Sequence, residues 1–150
     1  MMVFTAKFSK KKMISLLAVV LAAICIIAVI IALPARGKQI DIGTEEQRVD
    51  YIQDTLGYIV VERLNTRQVN VPKVFTDVYI AYNELQKQQG FDLTKYSGKQ
   101  AMLYTYQIGG YEGETNVLID LLAYRDKLIG GSIYTAAIDG FMTGLCPKGS

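Results

Sequence analysis

The chain has no histidine and no tryptophan, only two cysteines and three prolines, and no acidic residue before Asp41. Without histidine there is no Ser-His-Asp or Cys-His catalysis and no histidine-containing metal site. Without tryptophan, a sugar-stacking platform has to be built from tyrosine or phenylalanine alone. The cysteines cannot pair: Cys25 lies inside an apolar run and Cys146 near the far end, so Cys146 is expected as a free thiol. No internal repeat or low-complexity stretch is present. A phosphate-binding loop is missing too, because the glycines around Gly109 lack both a strand-to-helix context and a lysine partner.

What is present is a long apolar run. Met13 to Leu33 contain no charge and a single hydroxyl, Ser15. At a helical rise of ~1.5 Å per residue this run spans roughly 31 Å, the thickness of a bilayer's hydrocarbon core. Lys7, Lys10, Lys11 and Lys12 precede it, which places the N-terminus in the cytoplasm and the C-terminal part outside the cell. A cleaved signal peptide is the rival reading. Its apolar region is normally shorter and ends at a small-x-small site, whereas here the exit is Leu33-Pro34-Ala35. The expected organisation is therefore a cytoplasmic basic tail (1–12), a transmembrane helix (13–33), a linker (34–43), an extracytoplasmic α+β domain (44–142) and a flexible C-terminal tail (143–150). The partner implied first is the lipid bilayer, through residues 13–33, and the location is the cell membrane.

Charge follows the same division. The whole chain is +2, yet residues 1–38 hold six of the sixteen basic groups and none of the fourteen acids. Residues 39–150 thus carry ten basic and fourteen acidic groups, a net of −4. The basic pI of about 8.5 belongs to the anchor, and no nucleic-acid footprint is present.

Within the outer domain, Thr44 with Gln47 forms a capping-box pattern, and Val49, Ile52 and Leu56 share a helix face closed by Gly57. Tyr58 to Arg63 reads as a strand, and Val69 to Val71 either continues it or pairs with it, through a turn near Asn65. Phe75, Val78, Tyr79, Tyr82 and Leu85 predict an apolar stripe on a second helix, opposite Asp77, Glu84 and Lys87, with Gly90 at its left-handed C-terminus. Strands are expected at Ala101 to Ile108, Val117 to Tyr124 and Leu128 to Tyr134. Arg125-Asp126 forms the last turn, and Gly130-Gly131 marks a bulge or close approach. The fold class is α+β: two helices packed on a three- to five-stranded antiparallel sheet, preceded by one N-terminal transmembrane helix.

All ten tyrosines lie in this domain. Most follow core spacing, while Tyr96 and Tyr111 fall in loops and are the candidate ligand-binding residues. The enzymatic option is a carboxylate pair, Asp120 in an apolar strand and Asp139 before Gly140-Phe141. It competes with a plain structural role for Asp120, and no catalytic residue, metal or cofactor is assigned. The leading expectation is a non-enzymatic domain that binds an envelope protein or peptide. The alternatives are a carboxylate-based envelope hydrolase and a small-ligand sensor with an apolar pocket between helix 2 and the sheet.

An ordered series of segments carries a resemblance. Phe75-Thr76-Asp77-Val78-Tyr79, Tyr82-Asn83-Glu84-Leu85-Gln86-Lys87 and Gln89-Gly90-Phe91-Asp92-Leu93 lead into Lys95-Tyr96-Ser97-Gly98-Lys99 and Tyr104-Thr105-Tyr106. Leu121-Leu122-Ala123-Tyr124, Lys127 to Gly131 and Asp139 to Met142 come next. Together, over roughly 44–142, they resemble an uncharacterised family of small membrane-anchored bacterial proteins, a domain of unknown function found mostly in Gram-positive organisms. The chain departs from the family pattern at Arg125-Asp126, where Asp-Gly is expected, and at Tyr111, which lacks a neighbouring proline. The resemblance implies an anchor and an α+β domain and supplies no catalytic residues.

Overall fold

The computed structural model describes residues 39–137 and 139–149. The expected transmembrane helix at 13–33 lies outside the described residues; among those described, no helix is long and apolar enough to cross a membrane. The domain is α+β, with two helices and one five-stranded antiparallel sheet whose strands neighbour one another in chain order.

The first helix, α1 (Glu45–Asp50), starts as its sequence dictates. Thr44 Oγ1 accepts from the Gln47 amide at 3.2 Å, and Gln47 Oε1 accepts from the Thr44 amide at 3.1 Å. Glu45 and Glu46 complement the positive end of the helix. It runs on as a π-helical turn over Tyr51–Thr55, which carries Tyr51, Ile52 and Leu56 into the core before Gly57 reverses the chain at φ +80°.

One strand, β1 (Ile59–Asn70), continues through Val69, the first of the two expected arrangements and without the turn. Asn65 is not a turn. The chain absorbs its irregularity as two bulges, between Val60 and Glu62 and between Arg63 and Asn65, and stays paired to β2 (Gln100–Gly109) throughout. β3 (Val117–Tyr124) and β4 (Lys127–Thr135) form a hairpin. Its two turn residues, Arg125 and Asp126, take φ of 49° and 63°, the mirror-image turn that matches strand twist. The bulge expected at the paired glycines sits one residue earlier: Leu122 faces Gly130 and Ala123 faces Leu128, leaving Ile129 as the extra residue. A short β5 (Met142–Thr143) pairs with Tyr134 and Ile133.

Alternate residues of β2 and β3 feed two separate cores. Tyr106, Ile108, Ile119 and Leu121 join Ile52 and Leu56 on one side. Leu103 and Leu122 join Val71, Leu93 and Ile129 on the other, with Tyr82 packed against them. Burial on both faces accounts for the nearly unbroken apolar sequence of β3.

The second helix, α2 (Asp77–Gln88), ends as expected, with the Phe91 amide on the Gln86 carbonyl and the Gly90 amide on the Lys87 carbonyl, both at 3.0 Å. Its buried face is shifted from the predicted one: Phe75, Tyr82 and Leu85 are half-buried as expected, but the rest of the stripe is not. Val78 is 78% exposed and Tyr79 47%, whereas Asn83 and Gln86 are buried. The reason lies at the β4 edge, beyond the reach of the two-residue β5. There the Gly131 amide donates to Gln86 Oε1 at 2.8 Å, and Gln89 Nε2 donates to the Gly131 carbonyl at 3.3 Å. Gln89 Oε1 in turn accepts from the Leu145 amide at 2.6 Å. Two glutamines thus complete the ladder where no strand continues, satisfying backbone groups that are costly to bury unpaired. Asn83 accepts from the Leu93 amide at 2.8 Å, fixing the 3-10 turn Leu93–Tyr96 beneath the helix.

The tail expected to be flexible from 143 onward instead folds back. Leu145 is buried in the first core, and the Lys148 amide donates to the Leu56 carbonyl at 2.8 Å.

Candidate functional site

The most open backbone of the domain is β1. It is the first strand of the sheet, so among the described residues it pairs on one side only, and nearly every side chain along it is exposed. Ile59 (64%), Val61 (60%) and Leu64 (47%) are large apolar groups left in solvent. The two bulges and the charges of Glu62, Arg63 and Arg67 blunt the edge against indiscriminate pairing. Beyond the second bulge, Asn65 to Asn70 run in unbroken register against Thr105 to Gln100. That stretch offers a regular row of outward amides and carbonyls, the feature that strand addition uses.

A polar row runs inward from this edge. Asn65, Thr105, Asp120 and Ser132 lie directly opposite one another across four strands. Thr105 Oγ1 donates to Asp120 Oδ1 at 2.5 Å, and Tyr134 stands near this carboxylate. Tyr82, from α2, stands near Ser132. Burial pushes the Asp120 carboxyl above the usual range, opposed by Thr105, the nearby Arg67 guanidinium and Tyr134. Chemically the row is a half-buried carboxyl flanked by hydroxyls.

The tyrosines chosen from the sequence do not meet. Tyr96 packs on the second core with its ring 5.4 Å from that of Tyr124. Tyr111 belongs to the first core, stacked between Tyr58 at 5.7 Å and Phe141 at 4.9 Å. Both are half-buried packing residues rather than two parts of one exposed surface. Asp139 sits in the exposed loop after β4, against a cleft with Glu114 and Asn116, and is not among the neighbours of Asp120. Cys146 is a free, half-buried thiol beside Tyr58, whose hydroxyl burial pushes up to about 12. Among the described residues, no cluster of three or more carboxylates or thiols could hold a metal ion.

Between α2 and the β4 edge stand the amides of Gln86 and Gln89, where the sensor reading expected an apolar pocket. Apolar space occurs instead at the rim. One cleft, of about 400 Å³, lies between Tyr51, Leu85, Phe91 and Leu145. Another, of about 350 Å³, is lined by Ile40, Phe91, Tyr96 and Leu128 with Lys95.

Sequence reasoning missed Arg48. It is 5% exposed, donates to the Tyr106 hydroxyl and the Ile42 carbonyl at 2.8 Å each, and lies 3.9 Å over the Tyr104 ring. Its position on the buried side of a capped helix was the available signal, because an arginine there needs a full set of acceptors.

No curated protein and no solved structure matches the chain. A family model does, described as Domain of unknown function (DUF4830), over residues 52–133, more than half of the chain. The matched segment runs from Ile52 in the π-helical turn to Ile133 in β4, so it takes in β1, α2 and the whole polar row. The chain therefore belongs to the DUF4830 family.

Proposed function

We propose that this chain is a single-pass membrane protein, N-terminus in the cytoplasm, whose outer domain binds an extended segment of an envelope protein along the free edge of β1. The observation that carries the reading is that edge: twelve residues paired, among the described residues, on one side only, with Ile59, Val61 and Leu64 exposed beside it. The anchor rests on the uncharged run from Met13 to Leu33 and its lysine flank. Bilayer attachment holds the domain at the membrane surface, which raises the effective concentration of any partner confined there.

A photo-crosslinking residue placed at Leu64 or Gln68 in the full chain, in intact cells, should give a discrete adduct. The same residue at Asp54 on the π-helical turn should give none. Val61→Lys and Leu64→Lys put charge on the edge without touching the buried cores, so they should abolish the adduct and leave the fold intact. Adduct formation indifferent to those lysines would refute binding at this edge.

The hydrolase reading draws on the raised proton affinity of Asp120 alone. A paired-carboxylate mechanism needs a second acid within about 10 Å, and the groups around Asp120 are hydroxyls and Arg67.

A further inference from the structure

The chain enters the domain at Gln39, and the structure gathers one end of the fold around that point. The Ile40 carbonyl accepts from the Leu128 amide, the Ile42 amide donates to the Asp126 carbonyl, and Asp41 is ion-paired with Lys127. The 3-10 turn joins the same end through the Tyr96–Tyr124 ring contact, and Gly98 donates to the Val71 carbonyl with Lys73 packed over it. Arg125 lies 5.3 Å over the Tyr124 ring.

Lys73, Lys95, Lys99, Arg125 and Lys127 gather at this end with Asp41, Asp92 and Asp126, and Glu45 and Glu46 follow shortly after Gly43, which packs against Asp126. Among the described residues, Lys73, Lys95, Lys99 and Arg125 have no carboxylate within ion-pair distance. Asp41 is taken up by Lys127, and Asp92 by Thr94 and Asn83. Arg36 and Lys38 stand immediately before the entry point in the sequence. The cleft of about 350 Å³ at this end combines apolar walls, Ile40, Phe91 and Leu128, with Tyr96 and Lys95.

We infer that this entry end is a phospholipid-binding face, on which Lys73, Lys95, Lys99 and Arg125 meet the phosphates of an anionic leaflet while Tyr96 and Tyr124 sit at the interface. The inference rests on the anchored reading: in the sequence only five residues, 34–38, separate the apolar run from Gln39. Basic groups with tyrosine are the residues that membrane interfaces favour.

The test uses the full chain in lipid nanodiscs, one set of phosphatidylcholine alone and one with a third of the lipid replaced by phosphatidylglycerol. Co-purification of the chain with the discs reports the anchor separately from the face. Deuterium uptake over Leu93 to Lys99 and Tyr124 to Leu128 should slow about tenfold in the anionic discs. It should return to the phosphatidylcholine value in 1 M salt, where the screening length is about 3 Å. The Lys73→Gln, Lys95→Gln, Lys99→Gln, Arg125→Gln combination should remove the effect while uptake over β3 stays unchanged; if β3 uptake rises, the salt series on the unaltered chain decides. Equal uptake in the two kinds of disc, with the chain still inserted, would overturn the lipid face and leave the anchor standing. Failure to insert would overturn both. Protection reproduced in phosphatidylcholine discs by soluble polyphosphate would reassign the face to an anionic polymer and overturn the lipid assignment.

Discussion

Adding one methyl group at Gly131 should unfold the domain or come close to it. A Cβ there would fall against the Asp120 backbone carbonyl and within 2.8 Å of a Leu145 methyl. Neither neighbour can yield cheaply: Asp120 is locked between Thr105 and Ser132 in the central strand, and Leu145 is buried. Overpacking a core usually costs about 1–3 kcal/mol, and contact with backbone puts Gly131→Ala at or above the top of that range. For a domain of this size each kcal/mol moves the melting temperature by roughly 4–8 °C, so a loss of about 15 °C is expected. Urea or thermal unfolding of the detergent-solubilised chain, monitored by far-UV circular dichroism, would measure it.

Gly130→Ala separates steric from conformational cost. Its Cβ would lie 2.7 Å from Gln86 Oε1, the end of a flexible side chain that is also the acceptor for the Gly131 amide. Displacing Gln86 leaves that amide unpaired, which costs about 1–3 kcal/mol. Gln86→Ala alone incurs the same loss, so the double variant should cost clearly less than the two singles summed, with a coupling of about 1 kcal/mol or more. Gly90→Ala is the control: no atom lies within 4 Å of its Cβ position, and φ is +85°, so only the backbone preference of about 1 kcal/mol is lost. Gly131→Ala within ~0.5 kcal/mol of the parent would refute the close packing of β4 against Asp120 and Leu145, and strict additivity of Gly130→Ala and Gln86→Ala would refute the claim that Gln86 completes the β4 edge.

Arg48→Met should destabilise by about 3–5 kcal/mol, because it strands the Tyr106 hydroxyl and the Ile42 carbonyl inside the core; Arg48→Lys should not rescue it in chemical denaturation, since one ammonium cannot reach the same acceptors. The folded pKa of Asp120 lies above its ordinary value of 3.8, so the folded state holds that proton more tightly than the unfolded chain. The stability this contributes is full below 3.8 and lost as pH rises through the folded value. Asp120→Asn, which keeps an acceptor for Thr105, should therefore raise the urea midpoint at pH 7 and leave it little changed at pH 3. Tyr51 is pushed up to about 12 by burial, so its contribution is intact below 10 and lost as pH rises from 10 through 12. Tyr51→Phe should flatten that part of an alkaline unfolding curve.

How much of this was legible depends on whether a residue's partner lies nearby in the chain. The Thr44–Gln47 box, the left-handed Gly57 and Gly90 and the Arg125-Asp126 turn are local arrangements, and each stands where periodicity and turn chemistry put it. The face of α2 was misread because period alone assigns apolar groups inward, and here the surface it packs against is a strand edge with unpaired amide and carbonyl groups. Against such an edge Asn83 and Gln86 belong inside, and Val78 and Tyr79 are left in solvent. The same reasoning separates the two ends of the sheet. β4 could have been extended by a partner strand and is instead capped from within by glutamines, the folded-back tail and β5. β1 has no such covering among the described residues, and only its bulges and charges guard it. A fold that closes one edge with buried amides, at the cost of leaving Gln86 Nε2 without a partner, yet leaves the longer edge open, has the asymmetry expected of a domain that receives a strand on one side only.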